Sequence, residues 1–180
     1  MTDPTPGFIT TAGQTIAREK LIAYLNTGTS STPQWDALGL RVEDSTMDYD
    51  WSDETSQDIL GNVNTVMKKP IIKQTFEPLN LDSGDSAIVK IWEMAIKDQN
   101  NQALCAQDVL IVHHYYAPDT ATPTTTWAER YPKSMVKPTG LGGAGGGNIE
   151  MPVEITYGGA RSVGSAAVSS GGVVTFTAAA

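Results

Sequence analysis

The sequence predicts a mainly β fold, a β-sandwich or barrel with one flanking α-helix, and three observations support this. Apolar and polar residues alternate over several short segments, which is the period of half-buried strands. Only one segment has the periodicity of an amphipathic helix. Hydrophobic residues make up 40% and charged residues 18% of the 180 residues, which is a globular composition. Within it, helix-favouring charge is scarce while Thr, Gly, Val and Ile are abundant, which favours β structure. The length suits one domain over residues 1–180.

The strand segments are separated by turn residues. Strands are expected within residues 20–25, 40–51, 59–76, 105–117, 149–157 and 173–177. In the second segment, Met47, Tyr49 and Trp51 form the face expected to pack inward, with acids on the other face. The segment at 105–117 is strongly apolar and is expected to be central. Pro70 cannot donate to a strand ladder, so it belongs at an edge, a bulge or a strand start.

The helix is predicted within LDSGDSAIVKIWEMAIKDQNN. Apolar residues recur there at the spacing of one buried stripe, and DQNNQ ends the pattern. Asp82 or Ser83 is the expected N-cap, with Asp85 in the first turn. A strand is the alternative, because AIVKIW is rich in β-branched residues.

Two segments are expected to be mobile. Residues 1–15 are rich in Pro, Thr and Gly and predict an N-terminal arm, and residues 117–148 predict a flexible loop or arm. The second segment ends in LGGAGGGN. The glycines that form the candidate assembly arm are Gly142, Gly143, Gly145, Gly146 and Gly147.

Composition restricts the function. The net charge of −8 and the pI of about 4.6 argue against stable nucleic-acid binding, which needs clustered Lys and Arg. Cys105 is the one cysteine, so neither an intrachain disulfide nor a thiolate cluster is expected. We expect no signal peptide and no membrane span, and therefore folding in a cytoplasm.

The acidic stretch DYDWSDETSQDI is the first candidate site. Read as an EF-hand from Asp48, it has Asp53 where the loop needs Gly and Ile59 where it needs a bidentate Glu. A tuned carboxylate pair is also disfavoured, because Asp48 and Asp50 lie in a polar run. We expect a collectively acidic face with no catalytic role. Its members are Asp48, Asp50, Asp53, Glu54 and Asp58.

Other candidate chemistry is equally weak. His113 and His114 are adjacent and would point to opposite faces of a strand, so zinc is not expected. LGGAGGGN lacks the Lys and Ser/Thr of a phosphate loop. No metal, no cofactor and no catalytic residue is expected. Lys68, Lys69 and Lys73 form a small basic patch suited to an acidic neighbouring subunit.

The order of these features resembles a known family. REKLIAYLNTGTSSTPQWDALGLRVEDSTMDYDWSDETSQDILG is similar to the N-terminal half of the major tail tube protein of long, non-contractile-tailed (siphovirus-like) bacteriophages. The shared features are an early strand, a Pro-x-Trp loop, a Tyr-x-Trp strand and an acidic turn ending in Asp-Ile-Leu-Gly. KKPIIKQTFEPLNLDSGDSAIVKIWEMAI continues the pattern. The resemblance covers residues 18–115 and the strands from Ile149.

The resemblance implies a structural role. It implies the tail-tube fold, which secretion-system tube proteins share, and homohexameric rings stacked around a tape-measure protein. It implies tail-tip and tail-terminator proteins as further partners, transient passage of double-stranded DNA without tight binding, and no membrane. The expected location is the virion tail, after assembly in the host cytoplasm. The acidic face would line the lumen or lie between rings.

Two other interpretations remain. One is a tube protein of a contractile or secretion apparatus, because the fold alone does not separate the two uses. The other is a β-sandwich binding module that uses Trp35, Trp51, Trp127 and nearby tyrosines against a sugar or a surface protein. Core packing accounts for most of these aromatic residues.

Overall fold

The computed structural model describes residues 5–121 and 123–179. Its strands are β1 Gly7–Phe8, β2 Leu21–Asn26, β3 Trp35–Leu38, β4 Met47–Asp50, β5 Glu54–Gln57, β6 Val63–Val66, β7 Ile71–Phe76, β8 Gln107–His113, β9 Tyr116–Ala117, β10 Thr126–Pro138, β11 Val153–Thr156, β12 Ser162–Val168 and β13 Val174–Ala178. Its helices are a 3₁₀ turn Arg18–Lys20, α1 Ser86–Trp92 with a π-helical extension Glu93–Lys97, and α2 Asn101–Leu104. The mainly β prediction with a flanking helix is confirmed.

One nine-stranded antiparallel sheet forms the body of the fold. Its order is β3-β2-β8-β10-β11-β7-β4, and β12 pairs with β10 and then with β13. The long strand β10 makes the sheet curl. Its first half, 126–131, pairs with both β8 and β12, and its second half, 135–138, pairs with β11. The β2-β8-β10 half and the β4-β7-β11 half can thus face each other across a core.

The core has a cluster on each face of β8, because the strand alternates its side chains. Val109 and Ile111 belong to the larger cluster, which also includes buried side chains of β7, β11 and α1. Leu110 and Val112 belong to the smaller one, with Trp35 and Val174. The central position predicted for this strand is confirmed.

The helix begins one turn later than the favoured caps implied. Asp85 is the N-cap, and its side chain accepts hydrogen bonds from the backbone N–H groups of Ala87 at 3.0 Å and Ile88 at 3.1 Å. Ala87, Ile88 and Ile91 are buried against the larger cluster. The expected caps at Asp82 and Ser83 are therefore wrong, although Asp82 accepts from the N–H of Gly84 in the preceding turn.

The expected flexible segment 117–148 is wrong where β10 forms, since residues 126–138 are the longest strand. Two prolines and several charges hid its alternation. Pro132 lies where the pairing with β8 shifts register, between Tyr131 and Ser134, so its missing N–H costs no regular ladder bond. Thr122 and residues 1–4 of the expected arms lie outside the described residues.

The glycine segment forms a compact turn. Gly142 and Glu150 exchange backbone hydrogen bonds of 3.0 and 2.6 Å, and the N–H of Gly147 donates to the carbonyl of Ala144 at 2.9 Å. Gly143, Gly145 and Gly146 lie between these contacts and are exposed. The candidate assembly arm is thus a short surface loop before β11.

Candidate functional site

A projecting hairpin is the first notable surface. Strands β5 and β6 pair only with each other among the described strands, and every residue from Trp51 to Lys69 is exposed. Asp58 holds the turn, because its carboxylate accepts from the N–H groups of Leu60 at 2.8 Å and Asn62 at 2.9 Å. These bonds also lower the pKa of Asp58, with the side-chain bond from Asn62 as the largest cause. The Asp-Ile-Leu-Gly sequence is the turn of this hairpin.

The predicted acidic residues lie on two different elements. Asp48 and Asp50 are exposed on β4, where Asp48 lies opposite Lys73 of β7. Asp53, Glu54 and Asp58 belong to the hairpin instead, because the chain leaves the sheet after Asp50.

The predicted basic residues are also separated. Lys68 forms a 2.6 Å ion pair with Glu54 across the base of the hairpin. Lys69 lines a cleft beside the hairpin base, and Lys73 lies on β7 opposite Asp48. Two of the three lysines therefore already face acids of their own chain.

The cleft is the second surface. It opens where β4 and β7 face β8 and β10, and its volume is about 1200 Å³. Aromatic side chains from distant parts of the chain line it: Phe8, Tyr49, Trp51, Tyr115, Tyr116, Trp127, Tyr131 and Tyr157. Its other lining residues include Lys69 and Arg161.

Tyr49 and Trp51 do not pack inward as predicted. They are 45% and 44% exposed, and their rings stack on each other with centroids 6.2 Å apart. The side chains of β4 alternate as expected, but the face that carries Tyr49 lies over an open cleft instead of a filled core. Met47, at the start of β4, does pack against the larger cluster.

A buried ionic network forms the floor of the cleft, around Glu129. One carboxylate oxygen lies 3.0 Å from Nε2 of His113, and the other accepts from the Tyr131 hydroxyl at 2.7 Å and from Nε of Arg161 at 2.5 Å. Nδ1 of His113 lies 2.7 Å from the hydroxyl of Tyr115. The guanidinium of Arg161 lies over the Trp127 ring, 5.6 Å from its centroid.

The network holds Glu129 ionised. Burial by itself raises the pKa of this carboxyl, but the hydrogen bonds from His113, Arg161 and Tyr131, with the charge of Arg161, lower the pKa to about 2. Burial, followed by the hydrogen bond to Glu129, raises the pKa of Tyr131 well above its ordinary value. The charged groups at the floor of the cleft are therefore paired and hydrogen-bonded with each other.

Little in the amino-acid sequence indicates this network. His113 and Glu129 are far apart in sequence, and each resembles an ordinary polar residue. The available signal was the spacing Trp127, Glu129, Tyr131, which puts the carboxylate and two aromatic rings on one face of a strand. The binding-module interpretation also relied on Trp35, which is buried on the opposite face of the sheet from the cleft.

Within the described ranges, no group of three or more His, Cys, Asp or Glu side chains is placed to hold a metal ion. No helix in residues 5–121 or 123–179 is long and apolar enough to span a bilayer.

Comparisons with known proteins identify the fold. No family model matches the sequence, and no curated protein matches it. A chain from the sheath/tube terminator of an extracellular contractile injection system (PVC, extended state) superposes with a TM-score of 0.51 at 12% identity, over 85% of this chain and 99% of that chain. A chain from the sheath-tube complex of that system gives 0.48 at 14% identity, over 87% and 95%. At 12% identity, the likeness to the terminator chain shows the fold.

Proposed function

We propose that this chain is a structural subunit of a phage-like tail tube, with no catalytic role. The observation that carries the proposal is the curled sheet with its flanking helix, which matches a tube-terminator chain over 99% of that chain's length. The resemblance of residues 18–115 to tail tube proteins supports the same role independently of the superposition.

The surface also supports assembly. The hairpin exposes the apolar side chains of Ile59, Leu60, Val63 and Val66 to water, and such exposed apolar groups are typical of interaction sites. Strands β3 and β4 end the strand order of the sheet and β13 ends its side branch, so their edges could pair with neighbours. These features suit a subunit that becomes buried in a larger assembly.

The proposed assembly is a homohexameric ring, stacked with others around a tape-measure protein and closed by tail-tip and terminator proteins. If each copy gives ~4 strands to the lumen, ~24 strands at ~4.8 Å spacing and ~40° tilt make a barrel ~48 Å across. Once the side chains that line the barrel are allowed for, there is still room for a duplex ~20 Å wide. The net charge of −8 would keep double-stranded DNA from adhering during its transient passage. The virion tail is the proposed location.

A tube or tube-terminating subunit of a contractile injection apparatus is the second candidate. The superposition on a terminator chain favours it specifically. A tube subunit and a terminator differ in the assembled object, since a tube subunit stacks without limit whereas a terminator ends a tube.

Negative-stain electron microscopy of concentrated protein, alone and with tail-tip complexes as seeds, tests the proposal. Hollow tubes are expected for a tube subunit, and single rings for a terminator. Persistent monomers under both conditions would contradict both candidates.

The acidic residues of β4 have a separate test. Virions carrying Asp48→Lys and Asp50→Lys should eject DNA more slowly if these side chains face the lumen. Ejection at the wild-type rate would place them elsewhere.

We propose that the glycine loop lies in the interface between rings and helps to form it. Deleting 141–147 removes the glycine loop but keeps the hydrogen-bonded residues Thr139 and Pro152, and the fold should survive because the deleted residues are exposed. Polymerisation should then fail, whereas normal tubes would remove the loop from the assembly interface.

A further inference from the structure

The aromatic cleft is an unfilled end of the core. Its floor continues directly into the larger cluster, because Ile72, Tyr131 and Tyr157 line the cleft and also belong to that cluster. At its mouth, Tyr49 and Trp51 leave nearly half their surface in water. Large aromatic rings contribute most when they are covered, so this opening is suited to an inserted group.

The side chains at the hairpin tip are apolar, and the rest of the described chain does not bury them. Ile59 is fully exposed and Leu60 is 81% exposed. Their backbone is held in one shape, because the Asp58 carboxylate and the N–H of Gly61, which donates to the Asp58 carbonyl at 3.0 Å, close the turn. A fixed turn loses little conformational entropy on docking, which favours binding.

We propose that the hairpin tip of one copy docks into the aromatic cleft of a second copy. This inference rests on the proposed tube function and adds which two surfaces meet. A cleft of about 1200 Å³ is larger than the ~300–1,000 Å³ typical of small-molecule pockets, so a chain segment fits it better than a small ligand does.

Charge favours this occupant. The tip and arms of the hairpin carry Asp53 and Asp58, both exposed, and Glu54 is already paired. The cleft carries Lys69 at its edge, whereas Arg161 beside the floor is already paired with Glu129. A tip that carries Asp58 and enters beside Lys69 gains a complementary contact that also sets its register.

The hairpin's geometry makes the contact intermolecular. Trp51 and Lys69 stand at the hairpin's own base, where the N–H of Lys68 donates to the Trp51 carbonyl at 3.1 Å. The four-residue strands extend the tip ~13 Å or more from that base. Each copy thus carries one tip and one cleft at separate places, and such a head-to-tail contact repeats along a tube.

Disulfide trapping tests the contact directly. In a Cys105→Ser background, Leu60→Cys protein is mixed with Ala160→Cys protein, since Ala160 is an exposed cleft residue. Oxidation during assembly should give a dimer band that a reductant removes. The matched control replaces Ala160→Cys with Ser170→Cys, at the far end of β12 from the cleft, and should give no dimer.

The outcomes separate this inference from the proposed function. Wild-type tubes without a trapped dimer would overturn the docking and leave the tube function standing. A trapped dimer with no tubes or rings would support the docking and overturn the tube function. A Leu60→Cys/Ala160→Cys double variant that closes within a monomer would also overturn the docking.

Tip variants supply a second measurement. Leu60→Asp should raise the protein concentration needed for assembly at least tenfold, while Leu60→Met should stay near wild type. Lys69→Glu should raise it by a smaller factor that shrinks at high salt. Equal assembly by Leu60→Asp and Leu60→Met would contradict the docking, provided that both variants keep the wild-type circular dichroism spectrum.

Discussion

Two regions of the fold, the core around β8 and α1 and the projecting β5-β6 hairpin, are built in opposite ways. Around β8 and α1 nearly every inward side chain is buried, and the helix is capped and packed against the larger cluster. From Trp51 to Lys69 every residue is exposed, although the segment is regular β structure with apolar residues at its turn. The first region has its stabilising contacts within one chain. The second region lacks them, as the proposed contact with another copy requires.

The sharpest test of this contrast compares two isoleucines. Ile91→Ala in α1 should lower the free energy of unfolding by about 2 to 5 kcal/mol, because it leaves a cavity at a fully buried site. Ile59→Ala at the hairpin tip should change it by less than about 0.5 kcal/mol. Urea denaturation of the monomers measures both. Similar losses would mean that the hairpin is part of the folding core.

The floor of the cleft should contribute stability through Glu129. Glu129→Gln should lower the free energy of unfolding at pH 7 by about 2 to 3 kcal/mol, since it removes a charge that Arg161, His113 and Tyr131 hold in place. The folded pKa, about 2, lies below the ordinary 4.5, so the unfolded chain binds more protons between these values. The contribution of Glu129 is therefore complete above about pH 4.5 and is lost as the pH falls towards 2.

Denaturation of the wild type and Glu129→Gln at pH 7, 4 and 2.5 checks the sign. The gap between the two proteins should shrink as the pH falls. A constant gap would mean that Glu129 acts through packing and not through its charge.

Local sequence patterns could predict which strand faces are buried in the core, but they could not predict the cleft. The alternation of residues 149–157 correctly placed Met151, Val153, Ile155 and Tyr157 on a buried face, although Ile149 is exposed. These predictions need only the period of one strand. The cleft unites residues around positions 8, 50, 70, 115, 129 and 160, which long-range strand pairings bring together, those of β10 among them. Because Pro132 and its charged neighbours hid β10, neither that pairing nor the role of Glu129 could be read locally.

A smaller effect compares two capping carboxylates. Asp85→Ala should lower the free energy of unfolding by about 1 kcal/mol, because two N–H groups of α1 lose their partner, while Asp85→Asn should retain most of it. Asp58→Ala removes the same kind of bonds from the hairpin turn, outside the core, and should leave the unfolding midpoint unchanged.

Hydrogen exchange separates the two carboxylates. Asp58→Ala should speed amide exchange in the hairpin alone. A fall in the unfolding midpoint of Asp58→Ala as large as that of Asp85→Ala would contradict the difference between the hairpin and the core.

The smallest effect is expected at the hairpin base, where Glu54 and Lys68 form a 2.6 Å pair with both side chains more than half exposed. A double-mutant cycle with Glu54→Gln and Lys68→Met should give a coupling of about 0.5 kcal/mol or less in monomer unfolding, because water screens the charges. The same cycle measured on the assembly equilibrium should give a larger coupling if docking excludes water from the hairpin base. Equal couplings in the two assays, with equal dependence on salt, would mean that the base of the hairpin stays in water after assembly. The pair thus reports where the interface ends, even though it contributes little to the fold.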